Sequence, residues 1–476
     1  MLRKLIGTKE FYRRVILLAL PIMIQNGITN FVNMLDNIMV GRIGTVEMTG
    51  VAVANQLFFV FNLCIFGAVS GAGIFGAQFA GNADHKGVRD TFRFKIVFCT
   101  VLTILCIVLF VFFGEPLISL YLKGEGDLTD AAASLSSAKE YLTVMLIGML
   151  PYTFVQCYSS TLRETGETVL PMAAGVIAVT VNLALNTVLI FGYLGFPALG
   201  VKGAAIATVI SRFAELAVVA VRTQMMAGKN PFIIGAFRSL KVPFSLTKKI
   251  FIKGLPLMLN ETMWAAGIAI VNQCYSVISY DVVAASNICS TFFNVFSTAF
   301  MAVGVADGII LGQKLGAGET EDAKEVAFQL ITFSALVSAV VGLVFFACAR
   351  VIPLVYNATD GVRDLAGKLM MITAAAAPVD AIVHASYFTL RSGGKALITF
   401  LFDSCFVWVV NIPIAFLLSR YSDIGILGLY AIVQFSGIIK DILGITFVNS
   451  GMWIIRIVPE AKEKECSSAG NDVTIP

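Results

Sequence analysis

Four carboxylates of this 476-residue chain sit where a carboxylate is expensive: Asp36, Glu261, Asp380 and Asp403 each interrupt a long apolar run. An ionisable group in such a run costs roughly 2.5–3.5 kcal/mol on membrane-insertion scales, so by default it marks an ion or substrate pathway. Each must be paired, hydrated or protonated. Desolvation favours the neutral acid, and such a group can exchange a proton or sodium ion as its access to water alternates. Around the first acid, Asn26, Thr29, Asn33 and Asp36 follow at steps of three and four, hence on one helix face. A polar stripe of that length needs a wet cavity or a second helix to satisfy its amides. Asn182 and Asn186 share a face of another apolar segment. Asp36 lies roughly 7–8 Å before the outer end of its helix at 1.5 Å per residue, and Asn186 falls at a similar depth, so the three form a candidate site. Glu261, Asp380 and Asp403 are the candidates of the second half. Asp307 is read as reaching the interface near the inner end of its span. Arg212 and Glu215, three apart, are read as a local ion pair, and Lys440 and Asp441 are given no role.

The elements that position these groups are membrane spans. The chain is 58% hydrophobic and 13% charged, with a mean hydropathy of +0.86, whereas soluble domains run near a quarter charged. About twenty apolar residues cross a bilayer. Twelve helices are expected on that criterion, near 15–40, 50–79, 92–113, 138–161, 169–191, 202–225, 250–278, 283–311, 323–347, 365–389, 397–419 and 425–455. Lys and Arg gather in the N-terminal tail, in the loop with Lys86, Arg89, Arg93 and Lys95, and in the stretch from Arg222 to Lys253, while alternate loops are poor in them. The positive-inside rule then places both termini in the cytoplasm of a multi-pass protein of the cell membrane. The nine cysteines stand singly in apolar runs and read as core residues, and two histidines make a His-based metal site improbable. A net charge of +4 points away from nucleic acid. Gly71-Ala-Gly-Ile-Phe-Gly76 fits a dinucleotide-loop pattern but lacks the strand-to-helix context, so small residues easing helix packing explain it better.

The two halves resemble each other. Leu20-Pro21 matches Leu255-Pro256, Gln78-Phe-Ala-Gly81 matches Gln313-Lys-Leu-Gly316, and Leu162-Arg163 with Gly166 matches Leu390-Arg391 with Gly394, at offsets drifting from about 235 to 225. Six helices per repeat give both copies one orientation, related by an axis along the membrane normal, with the pathway between them. The expected organisation is a first lobe over 1–227, a linker over 228–249, a second lobe over 250–460 and a tail over 461–476. Such repeats are common in carriers and rare in receptors or membrane enzymes.

Several of these segments also resemble a known family. Pro21 with Asp36-Asn-Ile-Met-Val-Gly41 is similar to the first-helix signature of the MATE (multidrug and toxic compound extrusion) transporters. Further matches are Asn182-Leu-Ala-Leu-Asn186, Gly200-Val-Lys-Gly-Ala-Ala-Ile-Ala-Thr208, Gly254-Leu-Pro256, Glu261 to Trp264, Leu311-Gly-Gln-Lys-Leu-Gly-Ala-Gly318 and Leu390-Arg-Ser-Gly-Gly394. The resemblance implies an all-α integral membrane protein with two six-helix lobes related by a pseudo-two-fold. It implies a secondary antiporter, not an enzyme, that exports organic cationic or amphiphilic compounds by alternating access, driven by H+ or Na+. Asp36, Asn182, Asn186, Glu261 and Asp380 would handle the coupling cation, with Na+ held at Glu261 and Asp380 or at Asp36, Asn182 and Asn186. Asn33, Trp264 and Asp403 would line the substrate cavity. Some members carry an aspartate where this chain has Asn186. No cofactor beyond the coupling ion is expected; the partners are small organic cations and membrane lipids, and the protein is expected to be a monomer. The competing transporter reading is a flippase for a lipid-linked precursor, whose cavity should be cationic to hold phosphate, whereas the intramembrane charges here are chiefly acidic.

Overall fold

The computed structural model describes residues 6–122, 128–356 and 358–459, apart from the side chains at 33–34, 37–38, 45, 121–122, 128–130, 194 and 280. The tail expected over 461–476 lies outside the described residues. Twelve of the described helices are long and apolar enough to cross a membrane. They are α1 (Lys9–Gly41), α2 (Thr45–Gly81), α3 (His85–Leu122), α4 (Leu128–Glu164), α5 (Val169–Phe191), α6 (Gly200–Met225), α7 (Phe244–Ser276) and α8 (Tyr280–Ala317). The set is completed by α9 (Ala323–Cys348), α10 (Asp360–Ser392), α11 (Ala396–Tyr421) and α12 (Ile426–Ser450). All twelve coincide with the spans expected from hydropathy. Several, α3 and α4 among them, run a few turns past the apolar window because helix continues into the flanking polar residues.

The burial pattern is that of a protein in lipid. Large apolar side chains point outward, Phe112 at 72% and Leu343 at 71% exposure, while Lys95, Gln78 and Asp307 are fully buried. In water that arrangement would leave apolar surface unprotected; in hydrocarbon it is the stable one, since helices satisfy every backbone group internally. Lys95 owes its place in the interior to Glu164, 2.6 Å away, with Ser160 and Thr161 completing its donors.

Contacts group the chain into two compact units. One holds Met1–Leu20, Gly73–Val88 and Lys248–Pro476; the other holds Pro21–Ala72 and Arg89–Thr247. The first division falls inside α1 at Pro21, a residue that removes a helix hydrogen bond. Within the first unit the ends of α2 and α8 cross through the repeated Gln-x-x-Gly motif. A Cβ on Gly81 would collide with the Gln313 carbonyl, and one on Gly316 with that of Gln78, so the crossing is reciprocal. The crossing is fastened by side chains of the same unit: Gln78 Nε2 donates to the Ser392 and Ile455 carbonyls, and Arg14 Nη2 donates to Gln313 Oε1 at 2.9 Å. A second repeated glycine pair, Gly166 and Gly394, follows α4 and α10 at φ of 94° and 69°, where only glycine is unstrained.

One element departs from the expected regular helix. α11 contains two π-helical turns, Leu401–Cys405 and Val407–Asn411, with Asp403 in the first. Wide turns of this kind cluster at functional positions. Gly81→Ala and Gly316→Ala are each expected to destabilise the protein by about 1–3 kcal/mol through overpacking. Gly361→Ala, which meets open space, is expected to leave the thermal midpoint of the detergent-solubilised protein unchanged or raised. Equal midpoints for all three variants would contradict the crossing.

Candidate functional site

Two polar centres built around the expected acids lie inside the helices, one in each unit. In the unit holding Pro21–Ala72 and Arg89–Thr247, α1 brings Asp36 against the asparagine pair of α5. Asn186 Nδ2 donates to Asp36 Oδ1 at 2.6 Å and to Asn182 Oδ1 at 3.1 Å, and Asn182 Nδ2 lies 3.2 Å from Thr208 Oγ1 on α6. With the Asn182 amide turned, its nitrogen donates to both Asp36 oxygens at 3.1 and 3.2 Å and its oxygen accepts from Thr208. The turned amide faces nitrogen to carboxylate and oxygen to hydroxyl, and it gives up the bond from Asn186, whose amide nitrogen then lies 3.1 Å from that of Asn182. Asp36 is in no ion pair among the described residues; its hydrogen-bond donor is a neutral amide, and the charge of Arg212 acts on it without direct contact. The side chain of Asn33, expected beside it, lies outside the described residues.

Thr208 also borders a cavity of about 70 Å³, lined by Phe58, Phe61, Met145, Met149, Tyr152 and Arg212 among others. The space suits a few waters or part of a small apolar ligand. Aromatic and thioether surface, which adapts to varied shapes, makes up much of its wall, with Asn62, Thr208 and Arg212 as the polar side chains. Arg212 binds Glu215 at 2.9 Å, as their spacing suggests, and lies 5.3 Å from the centre of the Tyr152 ring.

The second centre belongs to the other unit and joins α7, α10, α11 and α12. Tyr387 Oη donates to Glu261 Oε1 at 2.7 Å. One residue earlier, Asn260 Nδ2 donates to Asp403 Oδ2 at 2.9 Å, and Asn260 Oδ1 accepts from the backbone and hydroxyl of Ser404 in the first π turn. Lys440 Nζ lies 2.5 Å from Asp403 Oδ1, both largely buried. Asp403 therefore already has a counter-ion, which Lys440 supplies from a different helix. An intramembrane lysine is itself a signal that an acid must lie opposite, and that signal was available at Lys440. Tyr387, by contrast, has no sequence mark that separates it from an ordinary core tyrosine.

Asp380 makes no hydrogen bond or ion pair among the described residues; the charges that act on it and on its neighbourhood are those of Lys440 and Asp441. No hydrogen bond joins it to Glu261 among them. Trp264, three residues after Glu261, is half-buried. The indole that ties α7 to α11 is Trp408, whose Nε1 donates to the Met263 carbonyl at 2.9 Å. Asp307 corrects an expectation: it does not reach an interface but is wholly buried.

A fold of twelve spans with paired carboxylate centres defines a membrane carrier. The MatE family model matches the chain over residues 21–188 and 256–417, two stretches that start 235 residues apart, the offset at which the prolines repeat. The chain belongs to the MatE family of multidrug and toxic compound extrusion transporters; it is a transporter and not an enzyme. It is 27% identical over 457 residues to a probable multidrug resistance protein NorM of Thermotoga maritima, covering 94% of each chain. It is 24% identical over 425 residues to the probable multidrug resistance protein YoeA of Bacillus subtilis, covering 88% of this chain and 89% of that one. Among solved structures, a mutant of the Vibrio cholerae MATE transporter VcmN superposes with a TM-score of 0.84 at 16% identity, covering 93% of this chain and 97% of the other. A MOP-superfamily transporter from Pyrococcus furiosus gives 0.81 at 17% identity, covering 94% and 97%.

Lys440→Met leaves the Asp403 carboxylate buried without its cation and is expected to cost about 3–5 kcal/mol. The double change Lys440→Met with Asp403→Asn should recover much of that loss. Thermal melts of the purified variants check it, and a single variant as stable as the parent would contradict the pair.

Proposed function

We propose that the protein is a secondary antiporter of the cell membrane that exports organic cationic or amphiphilic compounds against an inward flow of H+ or Na+. The observation that carries this reading is the environment of Asp36. Amide donors hold its carboxylate in place without neutralising it, and a hydroxyl links the cluster to an aromatic and methionine-lined cavity. A cation, whether a proton, a sodium ion or a drug ammonium, meets a carboxylate there that has no ion-pair partner among the described residues, whereas at Asp403 it would have to displace Lys440. The names of the two bacterial relatives, both probable multidrug resistance proteins, support the substrate class.

Competition supplies the mechanism. The coupling cation and the exported cation share Asp36, so loading one releases the other, and alternating access makes the exchange productive. Sodium would draw on the carboxylate together with the amide oxygens of Asn182 and Asn186, after rotation of the amides that now face Asp36. Glu261, held by a phenol, is a second site where a proton or sodium ion could act. From the Lys and Arg bias we read both termini as cytoplasmic, and we read the transporting species as a monomer among membrane lipids.

Reconstitution into proteoliposomes with pH and sodium gradients imposed separately tests this. Export of a lipophilic cation should follow at least one gradient and fall at least tenfold in Asp36→Asn, with the variant present at normal levels. Full transport by that variant would refute the role of Asp36. Coupling that survives in Asp36→Asn but vanishes in Glu261→Gln would assign it to the second centre.

A further inference from the structure

We propose that Asp307, on α8, is a proton-binding site separate from both polar centres. It carries a proton in this conformation and exchanges it when α8 parts from its neighbours.

The argument starts from isolation. The side chain of Asp307 is 0% exposed, and neither carboxyl oxygen has a hydrogen-bond partner among the described residues. An ionised carboxylate buried without a partner is the costliest form it can take. The charged and titratable groups of the surrounding helices are engaged elsewhere. On α10, the His384 ring faces Phe300 and the Arg391 guanidinium lies over Tyr387 and Phe388. On α1, Arg14 donates to Gln313; on α8 itself, Lys314 binds Glu319; on α9, Glu325 accepts from Gln329. No group of three or more His, Cys, Asp or Glu side chains able to cage a metal exists among the described residues. A proton needs no cage. Its addition to one Oδ takes the carboxylate to the neutral acid, and its return to water reverses the step with no other bond changed.

The surroundings show how access could change. Gly304 and Gly308 bracket Asp307 and pack against Phe388 of α10, while Gly312 and Gly316 let α8 cross the end of α2 at Ala77 and Gln78. Beside Asp307 the seal is the Phe388 side chain seated on Gly304 and Gly308, so a small separation of α8 from α10 would admit water. On α9, which packs against α8, the buried hydroxyl of Ser334 is also unpartnered among the described residues. The repeat adds an independent argument. At the offset of 235 that aligns Gln78 with Gln313, the counterpart of Asp307 is Ala72, so the duplicated fold does not require an acid there.

Infrared difference spectroscopy of the full chain in lipid nanodiscs tests the protonation directly. The wild-type minus Asp307→Asn spectrum at neutral pH should contain one carbonyl band of a protonated carboxyl, shifting slowly after transfer to D2O. Loss of a carboxylate band instead, or no difference, overturns the proposal. Should Asp307→Asn fold poorly, Asp307→Ala, which copies the first half, serves as the second variant. In proteoliposomes, Asp307→Asn should move the pH at which export is half-maximal by one unit or more, while an unchanged pH profile would reduce Asp307 to a silent neutral acid and reject proton exchange. This transport arm rests on the antiport reading. If wild-type protein exports no cation but the infrared band is present, the antiport reading fails and the proton site stands.

Discussion

A carboxylate carried into hydrocarbon must find its donors within the protein, and the architecture around each acid here follows from that constraint. Four solutions appear. Asp36 takes neutral amide donors from α5, Glu261 takes a phenol from α10, and Asp403 takes a lysine from α12 with an amide from α7. Asp307 takes none. The solutions differ in what they leave for a ligand. A lysine cancels the charge, whereas an amide or phenol stabilises the anion and keeps its charge available. The acids are thus graded by availability to a cation, although a hydropathy profile makes them look alike.

Duplication explains the frame but not this grading. The glycines at 81 and 316 occupy equivalent places and meet across one crossing, and those at 166 and 394 take the same left-handed backbone in separate units. The acids do not repeat. At the same offset Asp36 corresponds to Val271, which is packed in an apolar cluster with Cys274 and Tyr275. Since identical backbone positions hold valine in one half and aspartate in the other, the aspartate is not a requirement of helix packing. Function can then diverge between copies while backbone geometry stays shared.

What could be read from sequence follows the range of the physics involved. Span positions depend on about twenty local residues, so all twelve helices were legible. The face shared by Asn182 and Asn186 follows from helical period, and depth counting sufficed to place Asp36 beside them. Contacts between distant helices leave no such trace. The Lys440–Asp403 pair spans 37 residues and the Tyr387–Glu261 bond 126, and each depends on which helices become neighbours. The π turns of α11 were hidden for a related reason. Asn260 on α7 offers its side-chain oxygen to the Ser404 backbone, a partner that local propensity does not contain. Asp307 was misplaced because its distance from the helix end suggests an interface, whereas its burial depends on the neighbouring helices.

The same close packing sets both the seal and the chemistry of α8. Glycines at 304, 308, 312 and 316 present no side chains, so Phe388, Ala77 and the Gln78 backbone can approach the helix itself. Side chains larger than hydrogen would hold those neighbours away and admit water beside Asp307, lowering the cost of its charge. Burial of Asp307 goes with the close approach of Phe388 at Gly304 and Gly308, and under the proposal above a separation of α8 from α10 would change the acid's solvent in the same step. Coupling of that kind needs no relay of intermediate residues, since one packed surface controls both the contact and the protonation.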